Sequence, residues 1–388
     1  MSSQALPRLR CLQCGAESIY VDPFQHCERC DSDWLDIIYD YQHFRGSSWI
    51  ATQDASMWRY RELLPLSAGA AHNSLQEGWT PLARLDRLGA SLGHARLYAK
   101  DEGRNPTGSF KARQASLVTS ILRERGIGEL VICSTGNVAM AYAAYCARVG
   151  VDLTVFLPEL VPPLKQKVVE AYGARAVRLP ASYYDTRVAA KAHARERGIL
   201  YDPGADNFVN RESKKTIAYE IAEQLGWRAP DWYVQAVNGG PGPMGVHKGF
   251  VELRAMGLID RLPKIACVQS ELCSPMVDSF LAGHERATPV VPRTRIVTLS
   301  YEAPGFSFAV LSEVVRASGG TMIKVDEDRA MARIGALARS EGRLIAPAAA
   351  VAVEGAARLI ESGRIAADET VVVNLSGEGV VCHEVALP

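Results

Sequence analysis

Residues 100–113 read KDEGRNPTGSFKAR: a strand end, a turn rich in Gly, Asn and Pro, then the opening of a helix with Ser109 as its expected N-cap. Lys111 therefore falls in the first helical turn, where the helix dipole disfavours an ammonium and lowers the pKa of the amine. An amine kept neutral can attack a carbonyl and form a Schiff base. Position alone leaves a plainer alternative open, that Lys111 is one of 43 Lys and Arg side chains and lies on a solvated face.

From about residue 80 onward, short apolar runs alternate with helical patterns, the signature of an α/β protein built on parallel sheets. Strands are expected at 97–100, 130–133, 151–157, 176–179, 232–237, 265–268, 321–325 and 370–375. Helices are expected at 110–125, 138–149, 163–172, 214–225 and 326–340, most of them closed by a Gly and the last opened by Asp326. The stretch 284–305 is rich in Pro and Thr and reads as irregular.

Three strand ends carry polar punctuation. Ser134-Thr135-Gly136-Asn137 follows a strand and opens a helix, which suits an anion at a helix N-terminus or an ordinary helix cap. Asn238-Gly239-Gly240-Pro241-Gly242-Pro243-Met244-Gly245 also follows a strand, with a helix expected from about Val246, and its backbone amides could converge on a phosphate. Gly240 to Gly245 satisfies G-x-G-x-x-G as well, but Pro241 and Pro243 remove two amides and the loop lies late in the chain, against a dinucleotide site. The run 371–379, VVVNLSGEG, ends a buried strand on Ser376.

Near the start, Cys11, Cys14, Cys27 and Cys30 form C-x2-C-x12-C-x2-C, the spacing of two knuckles around one tetrahedral zinc. Four thiolates would fill the coordination shell, so the metal is structural, and His26 is a weaker rival ligand. Cys133, Cys146, Cys267, Cys273 and Cys382 are scattered and read as small core residues.

Asn105-Pro-Thr-Gly-Ser-Phe-Lys111 resembles the cofactor-lysine motif of fold type II pyridoxal-phosphate (PLP) enzymes, the tryptophan synthase β-like class, and more narrowly the threonine synthase family. The resemblance runs from the cysteine ribbon to Gly379. It implies two parallel-sheet αβα domains with the cofactor in the cleft, divided as a zinc ribbon at 1–45, a large domain at 46–105 and 205–388, and a smaller inserted domain at 106–204. By resemblance Lys111 is the catalytic Schiff-base lysine, Ser134, Thr135 and Gly136 hold the substrate carboxylate, and Asn137 bonds the phenolic oxygen of PLP. Asn238, Gly239, Gly240, Gly242 and Gly245 would bind its phosphate and Ser376 would meet its pyridine nitrogen. The reaction implied is conversion of O-phosphohomoserine to threonine by γ-elimination and addition of water. A specialised relative acting on a serine-, threonine- or O-phospho amino acid, cysteate synthase-like, is a second possibility, and a non-catalytic zinc-ribbon interaction protein a remote third.

The chain departs from the family pattern at Ala112, Gln114, Ala346 and Glu378. Before Lys214-Lys215-Thr216 the family presents an Asn-Ser and an Arg to the substrate phosphate; here residues 201–207 read YDPGADN, and Asp202 and Asp206 are expected to repel a dianion, with Arg211 a possible substitute.

Composition agrees with an enzyme of small molecules. The 388 residues carry 43 basic and 43 acidic groups, net charge zero, so no general nucleic-acid binding is expected. No run approaches the roughly 20 apolar residues of a membrane span, and residues 1–10 resemble no secretory or transit segment. A cytoplasmic enzyme is expected, and a homodimer by resemblance.

Overall fold

The computed structural model describes residues 7–22 and 24–380; Cys382 lies outside them. The chain opens on β1 (Arg8–Cys11), β2 (Glu17–Ile19) and β3 (Leu35–Ile38). There follow β4 (Leu82–Arg84), α1 (Asp86–Ser91), β5 (Leu97–Asp101), α2 (Lys111–Glu124), β6 (Glu129–Cys133), α3 (Asn137–Val149), β7 (Asp152–Pro158) and α4 (Pro163–Ala171). Next come β8 (Arg175–Leu179), α5 (Tyr183–Arg197), β9 (Leu200–Asp202), α6 (Phe208–Gln224), β10 (Trp232–Ala236), α7 (Pro241–Ala255) and β11 (Lys264–Ser270). The described chain closes with α8 (Pro275–Leu281), α9 (Phe306–Ala317), β12 (Thr321–Val325), α10 (Glu327–Glu341), α11 (Pro347–Glu361) and β13 (Val371–Leu375).

These strands form three sheets. β2-β1-β3 is antiparallel, with Arg8 opposite Ile19 on one side and Cys11 opposite Leu35 on the other. A six-stranded sheet runs β12-β11-β10-β13-β5-β4, parallel except for the β4 edge. A four-stranded sheet, β8-β7-β6-β9, is parallel throughout. Helices cover both faces of strands such as β10 and β13, whose residues are all buried, which is why these strands read as continuous apolar runs.

In a parallel sheet, ligands bind in the crevice beyond the carboxyl ends of the strands. Here residues 102–110 follow β5, residues 134–136 follow β6, residues 203–207 follow β9, residues 237–240 follow β10, and Ser376 follows β13. Both parallel sheets thus deliver their loops to one place.

β9, α5, α8, α9 and α11 are not among the expected elements, and three expected helix starts are displaced. Helix α2 starts at Lys111 with Phe110 as N-cap, and Ser109 stands one residue further out, its Oγ accepting the Lys111 amide at 3.4 Å while its backbone bridges to Gly377. Helix α6 begins at Phe208, six residues before the expected 214, capped by Asn207, whose Oδ1 accepts the Val209 amide at 2.9 Å. Its first turns are polar yet buried, as in the Lys215–Glu212 pair at 2.7 Å, so no apolar period marks them. Helix α7 begins at Pro241 and not near Val246: Pro at the first position costs no intrahelical bond, and Gly240 takes the left-handed N-cap conformation at φ +78°.

Candidate active site

Lys111 owes its placement to a buried ionic network behind it. Arg113 donates to Glu102 at 2.6 and 2.7 Å and to Glu220 at 2.5 and 2.8 Å, and Lys100 pairs with Glu220 at 2.6 Å. Two cations balance two carboxylates, the condition under which buried charge is tolerated. Asn105 ties the loop into this network, donating to Glu102 Oε2 at 2.9 Å and accepting the Gly78 amide at 2.9 Å. Beyond it, the Phe110 amide donates to the Ser376 carbonyl at 3.1 Å and the Glu378 amide to the Gly108 carbonyl at 2.9 Å. The lysine loop is therefore pinned to the end of β13.

One cavity lies where the loops meet. Its lining includes Lys111, Ser134, Thr135, Asn137, Asn238, Gly239 and Ser376, seven of the residues singled out from the sequence. The Lys111 amine sits 4.3 Å from the Phe110 ring centroid, no described carboxylate forms an ion pair with it, and burial lowers its pKa from 10.5 to about 8. Desolvation, more than the helix dipole, is the cause.

Ser134 Oγ accepts the amides of Gly136 at 2.9 Å and Ala139 at 3.0 Å, so its hydroxyl caps α3. Gly136, at φ +132°, does not line the cavity; a side chain there would overlap Lys165, whose Nζ would lie 3.0 Å from the added Cβ. That Nζ donates to Asn137 Oδ1 at 3.0 Å, which leaves the Asn137 amide nitrogen as a donor. Asn238 and Gly239 line the cavity, whereas Gly240, Gly242 and Gly245 do not. Gly242 and Gly245 lie inside α7, and an added Cβ would strike the Gln235 amide or the Arg211 carbonyl, so helix packing accounts for both glycines.

Residues 202–206 behave otherwise than the sequence suggests. Asp202 is buried and satisfied by Tyr142, the Gly204 amide at 2.9 Å and Asn210 at 3.2 Å, and burial pushes its pKa up. Asp206 pairs with Arg187 of α5 at 2.9 Å. Arg211 does not line the cavity: it donates to Leu35 O at 2.5 Å and Ala205 O at 3.1 Å and lies 4.7 Å from the Trp34 ring, fastening the N-terminal sheet to α6. Gln114 and Ala346, two of the departures from the family pattern, line the cavity, as do Arg187, Tyr183, Asn210 and Tyr301, which carried no signal in the sequence. Half-buried Cys133, also in the wall, is pushed up by desolvation to about 12 and stays a neutral thiol near neutral pH.

The four N-terminal Sγ atoms lie within 4.8 Å of one another, with Cys11–Cys30 and Cys14–Cys27 both at 3.6 Å. A tetrahedral zinc with bonds of about 2.3 Å needs edges of about 3.8 Å, so the set fits that ion. Burial raises the Cys27 pKa, but the amides of Arg29 and Cys30 and neighbouring thiols outweigh it and bring the thiol to about 7. His26 pairs with Asp33 at 2.6 Å and is not in the cluster.

A model of the pyridoxal-phosphate dependent enzyme family matches residues 74–377. The chain is similar to threonine synthase of Methanosarcina acetivorans, 35% identical over 373 residues that cover 95% of this chain and 91% of that one. It is similar to threonine synthase of Methanocaldococcus jannaschii, 33% identical over 391 residues, 97% and 94% of the two chains. Among solved structures it shares its fold with the processed form of threonine deaminase isoform 2 from Solanum lycopersicum, with a TM-score of 0.65, 23% identity and coverage of 79% and 88%. No described helix is long and apolar enough to cross a membrane.

Proposed function

The chain belongs to the pyridoxal-phosphate dependent enzyme family, as a threonine synthase-like member, and from that premise we propose that it converts O-phosphohomoserine and water into threonine and inorganic phosphate. The observation that carries this reading is one cavity in which Lys111, its amine neutral at mildly alkaline pH, faces the start of α3 and the end of β13. Pyridoxal phosphate, when bound, supplies an aldehyde for an amine to condense with and a ring that draws electrons from the substrate Cα.

The residues present fit that group. Lys111 would hold it, the Asn137 amide nitrogen would donate to its phenolic oxygen, and Asn238 and Gly239 in the cavity wall, at the entrance to α7, would take its phosphate, the first amides of a helix lacking intrahelical acceptors. Ser376 would meet the ring nitrogen with a neutral hydroxyl, which does not hold a proton there as a carboxylate would. Thr135 and the start of α3 would orient the substrate carboxylate. Lys111, once free, would take the proton from Cα and return protons further along the side chain. A structural zinc at Cys11, Cys14, Cys27 and Cys30, a homodimer, a cytoplasmic location and the division into 1–45, 106–204 and the remainder complete the proposal.

The test is phosphate release and threonine formation from O-phospho-L-homoserine by the PLP-loaded protein, with Lys111→Ala as the blank. Stoichiometric products absent in the blank support the reading. Gly204 and Ala205, small residues in the cavity wall, favour a second reading: β-replacement or β-elimination on a serine-, threonine- or O-phospho amino acid, cysteate synthase-like. Elimination from such amino acids, with no phosphate from O-phosphohomoserine, would select it.

A further inference from the structure

Among the described residues lining the cavity, the charged side chains are Lys111 and Arg187. Lys111 must be neutral to act, so Arg187 is the lasting positive charge there. It comes from α5, where Ser182 Oγ caps the helix by accepting the Asp185 amide at 3.1 Å. Its Nη2 donates to Asp206 Oδ2 at 2.9 Å and to Pro203 O at 3.5 Å. A guanidinium has five N–H donors; Nη2 serves Asp206 and Pro203, and the hydroxyls of Tyr201 and Tyr301 stand close enough to interact with the same group.

The surroundings are built for an acceptor. Tyr183 and Tyr301, with ring centroids 5.9 Å apart, line the same cavity beside Ser300. Burial raises both phenols, so they remain O–H donors at neutral pH. Among the described residues Asp206 is the one carboxylate paired with Arg187, and it stands on the 203–207 loop at 25% exposure, able to yield to a competing anion.

We infer that Arg187, with the phenols of Tyr183 and Tyr301, binds an oxyanion at the far end of the substrate side chain, a phosphate ester or a carboxylate, and so determines substrate specificity. This rests on the reading of the cavity as an amino-acid site. It assigns the side-chain anion to α5 and not to the segment just before Lys214. Asp206 is then a competitor for the guanidinium that keeps it oriented while no substrate is bound.

The experiment uses full-length, PLP-loaded protein, so that the cofactor's own phosphate site is filled. Dissociation constants for inorganic phosphate, O-phospho-L-homoserine, L-glutamate and L-homoserine are read from the change in cofactor absorbance or by calorimetry. Arg187→Gln should weaken the oxyanion ligands by roughly 10- to 100-fold, as expected for a hydrogen bond to a charged group, and leave L-homoserine within about twofold. Asp206→Asn should tighten them, and Arg187→Lys should restore part of the loss. Preference of the wild type for the phosphate or the carboxylate ligands identifies which oxyanion is meant. Unchanged oxyanion affinity in Arg187→Gln, or equal weakening of L-homoserine, would overturn the inference. Tight, Arg187-dependent binding of O-phospho-L-homoserine without turnover would refute the proposed reaction and leave this inference standing.

Discussion

The amide of Phe110 donates to the carbonyl of Ser376 at 3.1 Å, joining the residue before Lys111 to the residue that follows β13. A backbone bond between loops so distant in sequence makes the site a property of the whole six-stranded sheet. Lys111 and Ser376 keep their relation as long as β5 and β13 stay in register, with Leu97 opposite Val371 and Asp101 opposite Leu375.

Cofactor loading should depend on pH through Lys111. Burial lowers its pKa from 10.5 to about 8, so the reactive neutral amine gains as pH rises through about 8. The second-order rate of PLP binding to apoprotein should climb about fivefold from pH 7 to pH 8, about tenfold in all, and level off above 9. A rate that keeps climbing about tenfold per pH unit beyond pH 9, as for an exposed amine at 10.5, would contradict a desolvated Lys111.

Stability at low pH should follow Glu220. Burial alone would raise its pKa, but Arg113 and Lys100 bring it from 4.5 to about 2. The folded pKa lies below the unfolded one, so the stabilisation is complete above about 4.5 and is lost as pH falls toward 2. Arg113→Met should cost about 3–5 kcal/mol in denaturant unfolding, since it leaves two buried carboxylates with Lys100 as their one remaining buried cation, and should flatten this acid limb.

Gly245→Ala should act on stability and not on the cofactor. The new methyl would overlap the Arg211 carbonyl and stand 2.7 Å from Lys214 Cβ, where α6 and α7 pack. A loss of about 1–3 kcal/mol is expected, with PLP affinity unchanged in the folded fraction. A selective loss of PLP affinity would return Gly245 to the phosphate site.

Metal removal should loosen the N-terminal sheet. That sheet is held to the body by Arg211 to Leu35 O at 2.5 Å, Lys248 to Asp36 at 2.6 Å and Trp34 against Phe306 at 5.5 Å. Wild-type protein should carry about one zinc per chain, and Cys14→Ser little or none, with a thermal midpoint lower by roughly 5 °C. Metal-free wild type with an unchanged midpoint would contradict the assignment.

What the sequence disclosed and what it concealed follow from the range of the interactions. Lys111 at a helix start, the Ser134–Asn137 turn and the cysteine spacing are local patterns, and each is legible in one dimension. The alternating βα order likewise marks parallel sheets. The first turns of α6 were hidden because Arg211 and Glu212 are buried through partners remote in sequence, Leu35 O at 2.5 Å from Arg211 and Lys248 paired with Glu212. Gly242 and Gly245 resembled loop glycines, but their cause is a neighbouring helix and strand. Arg187 was one base among several on α5, and only the fold shows which of them reaches the cavity. Ser134 was ambiguous between a cap and a ligand site, and its hydroxyl is engaged as a cap.

The most direct test of the account is to reduce the PLP-loaded protein with borohydride and map the modified peptide by mass spectrometry. Three buried or half-buried lysines compete near the cavity: Lys111, Lys165 beside Asn137, and Lys214, which donates to Gln114 at 3.0 Å. The account predicts the cofactor mass on Lys111 alone, and none in Lys111→Ala. Cofactor fixed to Lys165 or Lys214, or retained in Lys111→Ala, would contradict it.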